Sequence, residues 1–327
     1  MRYHPPFMSK RATVWGLVLA AIVVGLIWFA VRGSSGSNGS QNTNPNSGTA
    51  AQAGVLQVVA AENFWGSLVS QIGGSHVQVL SIVSDPNADP HEYESNAADA
   101  RAIATANYVV ENGAGYDSWA DKLLGAAPGT NSDRKVLNVA TLLGKKEGDN
   151  PHFWYNPDYV NQVVAQMEQD LIALDPANAA DYEANYKTLQ ASLAEYQGRI
   201  ATIKQQFGGT KVAATEDIFE YLADAAGLDL ISPPAFTQAV AEGNDPPASS
   251  IVEFENQLQN GQVQVLVYNQ QTVTPLTENM KKLAADQNIP VIGVTETIQP
   301  PDVSFEDWMD AELIELQNAL NAKTLGQ

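Results

Sequence analysis

KVAATEDIFEYLADAAGLDL, residues 211–230, packs a whole structural unit into one short stretch. KVAAT has the short apolar run of a buried strand, IFEYLADAAGL (218–228) carries apolar residues at helical spacing, and LDLISP resumes an extended pattern. A strand, a helix and a second strand in that order form a βαβ unit with parallel strands. The alternation continues through helix SIVEFENQLQNG (250–261), strand VQVLVY (263–268), helix PLTENMKKLAADQ (275–287) and strand IPVIGV (289–294). Upstream it recurs as VLQVVA (55–60), ENFWGSLVSQI (62–72), HVQVLSIV (76–83), AADARAIATA (97–106) and NYVVENG (107–113). Two α/β lobes with mainly parallel sheets follow from this alternation.

Between the lobes, Tyr182, Tyr186, Leu189, Leu193, Tyr196, Ile200, Ile203 and Phe207 form one apolar stripe at alternating spacings of four and three. Asp175-Pro176 marks the start of this helix and Gly208-Gly209 its end. At 1.5 Å per residue it spans roughly 45 Å, enough to join two lobes as one stiff element. A coiled-coil dimer is the competing reading of the same spacing. Three tyrosines in the stripe favour packing along the lobes, and a monomer is expected.

Ala12 to Val31 (ATVWGLVLAAIVVGLIWFAV) contains no charged residue and matches the roughly 30 Å of a bilayer core. Arg2, Lys10 and Arg11 precede it and only Arg32 follows closely, so the N-terminus with His4 belongs to the cytoplasm and the body to the outside. A cleaved signal peptide is the alternative, but the A-x-A at Ala51–Ala53 lies far beyond the apolar run. Gly33 to Ala53 has nothing to bury and reads as a flexible tether with a mean reach of roughly 25 Å. The expected organisation is therefore a cytosolic stub and transmembrane anchor (1–32), a linker (33–53), an N-terminal lobe (54–174), a connecting helix (175–208) and a C-terminal lobe (209–327).

The chain has 327 residues, and 44% hydrophobic content is that of a globular protein. Its net charge of −20, with Glu62 the first acidic residue, repels nucleic-acid phosphate. With no cysteine, disulfides, thiolate metal sites and a thioether-linked lipid are excluded, and any metal must be held by nitrogen and oxygen.

Four histidines are present. His76, in GGSHVQV at a strand entrance, is expected on the surface. His91, in DPHEYE, and His152, in NPHFWYNP, each follow a proline in loops beyond strands. Ligands of open α/β sheets bind at such strand-end loops, because the sheet is a rigid platform and the loops carry variable side chains. Glu216 follows strand KVAA and Glu296 follows strand IPVIGV, so the second lobe offers two carboxylates in equivalent places. An ordinary helix-start role for Glu216 is the competing reading. Two imidazoles from one lobe and two carboxylates from the other would make an N2O2 metal site across a cleft. Phe153, Trp154 and Tyr93 beside the histidines are read as packing, with no chemical role.

DPHEYE, NPHFWYNP, TEDIFEYLADAAGL and VTETIQP together resemble the ligand motifs of the substrate-binding proteins of zinc and manganese ABC transporters, also described as surface adhesins. The resemblance runs from about Val55 to Leu320. It implies that His91, His152, Glu216 and Glu296 bind one divalent transition metal (Mn2+, Zn2+ or Fe2+) and deliver it to an ABC permease. Glu296 stands where the family usually has Asp, and the segment Leu143 to Asn150 (LGKKEGDN) lacks the histidine-rich loop of many zinc-specific relatives. Two imidazoles with two carboxylates suit manganese or iron relatively better than three imidazoles do, although zinc also binds such donors well. A metal-dependent hydrolase and an adhesin with a structural metal are the alternatives. Four protein ligands and the lack of HExxH or GxSxG argue against an enzyme. Release of the ion is expected from the loop Pro290 to Asp302, taken as peripheral to the core.

Overall fold

The computed structural model describes residues 54–87, 89–126 and 133–325. The expected anchor over Ala12–Val31 and the tether over Gly33–Ala53 lie outside the described residues; among those described, no helix is long and apolar enough to cross a membrane. The first lobe contains β1 (Leu56–Glu62), α1 (Asn63–Gly73), β2 (Val77–Val83), α2 (Ala97–Thr105), β3 (Tyr108–Glu111), α3 (Ser118–Ala126), β4 (Lys135–Asn138), α4 (Val139–Leu142) and α5 (Pro157–Leu174). After α6 (Ala179–Phe207), the second contains β5 (Lys211–Ala214), α7 (Glu220–Ala225), β6 (Asp229–Leu230), α8 (Pro234–Ala241), α9 (Ala248–Gln259), β7 (Val265–Asn269), α10 (Pro275–Asp286), β8 (Val291–Val294) and α11 (Phe305–Leu325).

Each lobe is built on a four-stranded parallel sheet, in the orders β2-β1-β3-β4 and β6-β5-β7-β8. The two sheets thus share one winding. Strands β3 and β7 are buried along their whole length, as expected of central strands covered on both faces by helices. Five helices (α3, α4, α5, α8 and α11) and strand β4 are additions to what the sequence pattern predicts. β4 is only four residues, KVLN, too short for alternation to register. α5 did carry a local signal: the Asn156 side chain accepts from the N–H groups of Asp158 and Tyr159, and Pro157 occupies the first turn.

α6 begins at Ala179, after a 3-10 turn over Pro176–Asn178. Seven of the eight stripe residues are buried and the eighth, Tyr186, is partly buried against the same core. α1, α5 and α11 pack against α6, so the stripe is filled from within the chain and leaves no free seam for a coiled-coil partner. α6 is the one helix that joins the lobes along the chain, and α11 reinforces it. α11 lies along α6 through the Arg199–Asp310 fork and reaches the first lobe, where the Phe305 N–H donates to Ser67 Oγ at 3.1 Å and Gln71 Nε2 donates to Glu306 at 3.0 Å. His76 is less exposed than its sequence position suggests: its Nε2 lies 2.8 Å from Asp181 Oδ2, in the first turn of α6.

Candidate metal centre

Both sheets end in polar residues: Glu62, Glu111 and Asn138 close β1, β3 and β4, while Glu216, Asn269 and Glu296 stand at or just beyond the ends of β5, β7 and β8. His91 sits in the 3-10 turn Pro90–Glu92 beyond β2, where the Asp89 carboxylate accepts the His91 backbone N–H and holds the turn. His152 directly precedes the 3-10 turn Phe153–Tyr155, whose aromatic residues are core, with Phe64 stacked on Trp154 at 4.0 Å. Tyr93 likewise packs on Trp119 and donates to Asp99.

The four candidate side chains converge. One candidate ligand atom from each of His91, His152, Glu216 and Glu296 lies within 4.8 Å of the others. His91 Nε2 is 3.3 Å from Glu296 Oε2, and His152 Nε2 is 3.5 Å from Glu216 Oε1 and 3.7 Å from Glu296 Oε2. His91 Nε2, His152 Nε2 and Glu216 Oε1 are buried without a hydrogen-bond partner. Such orphaned polar atoms are costly unless an ion satisfies them. His152 Nδ1 lies 2.8 Å from Asn150 Oδ1 and 3.2 Å from Asp217 Oδ1, both acceptors, so Nδ1 carries the proton. With one proton on the ring, that choice turns the Nε2 lone pair toward the common centre.

Three positioning residues escaped the reading of the sequence. Tyr116 donates its O–H to Glu296 Oε2 at 2.8 Å and sets its ring edge-on to His91. It is aimed by a turn in which Gly113, Ala114 and Gly115 all have positive φ, and at Gly113 a Cβ would meet Asn138 and Ala140 closer than 3.0 Å. The signal was present, because GAG follows a strand at the ligand-binding end of the sheet. Asn269, the last residue of β7, touches both carboxylates through its amide. Gln271 Oε1 accepts the N–H groups of Glu296 and Thr297 at 2.6 and 3.0 Å.

These last bonds correct the expectation that the Glu296 loop is peripheral. Thr295, Glu296 and Thr297 are buried, the Thr295 N–H donates to Glu312 and the Ile298 N–H donates to Asn63. His91 is the exposed member, with 21% of its side chain accessible against 0% for the other three. It lines both cavities at the mouth of the cleft, about 860 and 750 Å³ in volume, which the other three do not reach. His91 is therefore the candidate ligand that connects the buried cluster to the cleft.

Burial opposes charge on His91, but the Glu296 carboxylate outweighs it and leaves the imidazole pKa raised. For His152 burial again opposes the charge, and Asp217 with Glu296 raises the value to about 10. Burial and then the Glu296 charge push Glu216 upward. Glu296 is also buried, yet the two imidazoles hold it well below the usual carboxylate range. Positive charge is thus favoured beside Glu296 at this centre.

The sequence profile described as ZnuA, zinc-uptake complex component A periplasmic, matches residues 58–319. The manganese-binding lipoprotein MntA of Halalkalibacterium halodurans is 27% identical over 195 residues, covering 57% of this chain and 63% of that protein. The metal ABC transporter substrate-binding lipoprotein FimA of Streptococcus parasanguinis is 25% identical over 298 residues, covering 87% and 88%. The periplasmic zinc-binding protein TroA from Treponema pallidum superposes with a TM-score of 0.69 at 16% identity over 83% of this chain and 99% of TroA, a likeness of fold.

Proposed function

This chain belongs to the zinc-uptake complex component A family, and from that premise we propose that it captures one divalent transition ion between its lobes and hands it to an ABC permease. The ion is cargo, and the chain is a binding component and not an enzyme. His91 and His152 supply two nitrogens, Glu216 and Glu296 two oxygens. The observation that carries this reading is the convergence of four buried donor atoms from both lobes on one centre, three of them without a hydrogen-bond partner. The donor set admits manganese, iron or zinc. The lobes are taken as 54–174 and 209–327, and Ala12–Val31 as a membrane-spanning anchor that replaces a lipid on a chain without cysteine. Body and cargo then meet the permease outside the membrane.

Equilibrium binding of manganese and zinc to metal-free protein, read by competition with a chelator, tests this directly. One ion per chain is expected, and none would end the proposal. The pH dependence is set by the raised imidazole values. His152, raised to about 10, holds a proton at neutral pH that the ion must displace, and His91 is shifted in the same direction. Affinity therefore falls as pH falls, by up to about tenfold per pH unit for each displaced proton. Between pH 7.5 and 5 the expected loss exceeds about 100-fold. An affinity constant over that range would mean that the imidazoles are not ligands.

A further inference from the structure

Asn269 lies between the two carboxylates because β7 lies between β5 and β8. It is 1% exposed, and its Oδ1 accepts the Gln271 N–H at 3.0 Å, which fixes the amide so that Nδ2 faces the site. Nδ2 donates to Glu216 Oε2 at 2.6 Å and to Glu296 Oε1 at 2.8 Å, with Thr272 Oγ1 3.1 Å away. Its two hydrogens are thereby engaged, one on each carboxylate. What faces the centre is one oxygen from each acid: Glu216 Oε1, without a hydrogen-bond partner, and Glu296 Oε2, nearest the two imidazoles, where the Tyr116 hydroxyl takes one lone pair and leaves the other free.

We propose that Asn269 is a positioning residue that limits each glutamate to one metal-bound oxygen and so fixes the shell at four protein donors. This rests on the reading that His91, His152, Glu216 and Glu296 hold the cargo. Two-oxygen ligation would need Glu216 Oε2 or Glu296 Oε1 to turn inward, exchanging a buried hydrogen bond to a carboxylate for the longer, uncharged contact to Thr272 Oγ1 at 3.1 Å. A four-donor N2O2 shell is the usual tetrahedral arrangement of zinc, whereas manganese prefers six donors rich in oxygen. The clamp therefore works against manganese relative to zinc, in opposition to the modest preference that the carboxylates give manganese. Asn269 is a specificity determinant that touches the ligands and not the ion.

X-ray absorption of the zinc-loaded wild-type chain should show four nitrogen or oxygen neighbours. Asn269→Ala frees both carboxylates to rotate. Its zinc spectrum should gain neighbours, and its zinc-to-manganese affinity ratio should fall by about tenfold or more. Asn269→Ser, a smaller donor, should lie between the two and guards against a folding failure of the alanine variant. A wild-type zinc shell of six neighbours would overturn the proposal alone. So would a foldable variant with unchanged neighbour count and affinity ratio. Wild-type protein that binds neither ion stoichiometrically would instead overturn the underlying assignment of the site, and the clamp with it.

Discussion

His152→Ala is expected to weaken divalent-ion binding by about 10²- to 10³-fold. Apparent binding free energies for four-ligand zinc sites run to about 10–16 kcal/mol, so one ligand in four accounts for roughly 3 kcal/mol or more. The orientation of the His152 ring is set by Asn150 and Asp217 on its far nitrogen. The loss removes a donor and leaves Glu216 and Glu296, both 0% exposed, with one imidazole fewer to offset their charge. A convenient readout is the rise in melting temperature on adding metal. Saturation at about 1,000 times Kd stabilises by about 4 kcal/mol, and that gain almost vanishes when Kd rises a thousandfold at fixed metal. His76→Ala is the control. That imidazole pairs with Asp181 near the start of α6 and should leave the metal-induced shift intact. Binding by His152→Ala within threefold of wild type would remove His152 from the shell.

The second large effect is on stability without metal, which should fall as pH rises from about 5 to 8. Burial pushes the Glu312 carboxyl up to about 8 and raises Glu62 well above its usual value. Glu216 is raised too. Above about pH 4.5 the unfolded chain has released these protons while the folded chain keeps them, so rising pH favours unfolding. The imidazoles act in the same direction above about 6.5, because His91 and His152 hold their protons longer when folded. A tenfold difference in proton affinity between folded and unfolded states is worth about 1.4 kcal/mol, so the summed loss is on the order of several kcal/mol. Glu312→Gln isolates one contribution. The Thr295 N–H donates to Glu312 Oε1, and the Tyr155 hydroxyl lies 2.8 Å from Oε2 and 2.9 Å from the Thr295 carbonyl. A glutamine reproduces the protonated acid here: its oxygen accepts from Thr295 and its amide donates to Tyr155, which in turn donates to the carbonyl. The variant should match wild type near pH 5 and exceed it near pH 8. Calorimetric melting that is flat or rising with pH, with the same slope in the variant, would refute this account.

Particular residues show how far the chain could be read in advance. The strands KVAA and VQVLVY and the stripe from Tyr182 to Phe207 declare themselves because strand and helix periodicities are local, written within a few residues of one another. The four candidate ligands were legible for a related reason, since histidines and acids just past strand ends point to the same end of each sheet. α11 buries Phe305, Trp308, Met309, Leu313, Leu316 and Leu320, but its role in bridging the lobes depends on Ser67 and Gln71, more than two hundred residues away in the chain. No local pattern encodes such a contact.

Composition and periodicity by themselves determined two parallel α/β lobes, a long helix between them, an acidic body and a metal chemistry confined to nitrogen and oxygen. Tertiary structure decided which atoms of those residues meet. It placed Glu216 and His152, 64 positions apart, within 3.5 Å, brought Tyr116 onto Glu296 across 180 positions, and set Asn269 between two acids by strand order alone. The physical reason is one of range. Backbone geometry fixes which way successive side chains point along one element, whereas hydrogen-bond direction, burial and the oxygen a carboxylate presents are set by neighbours that only folding delivers.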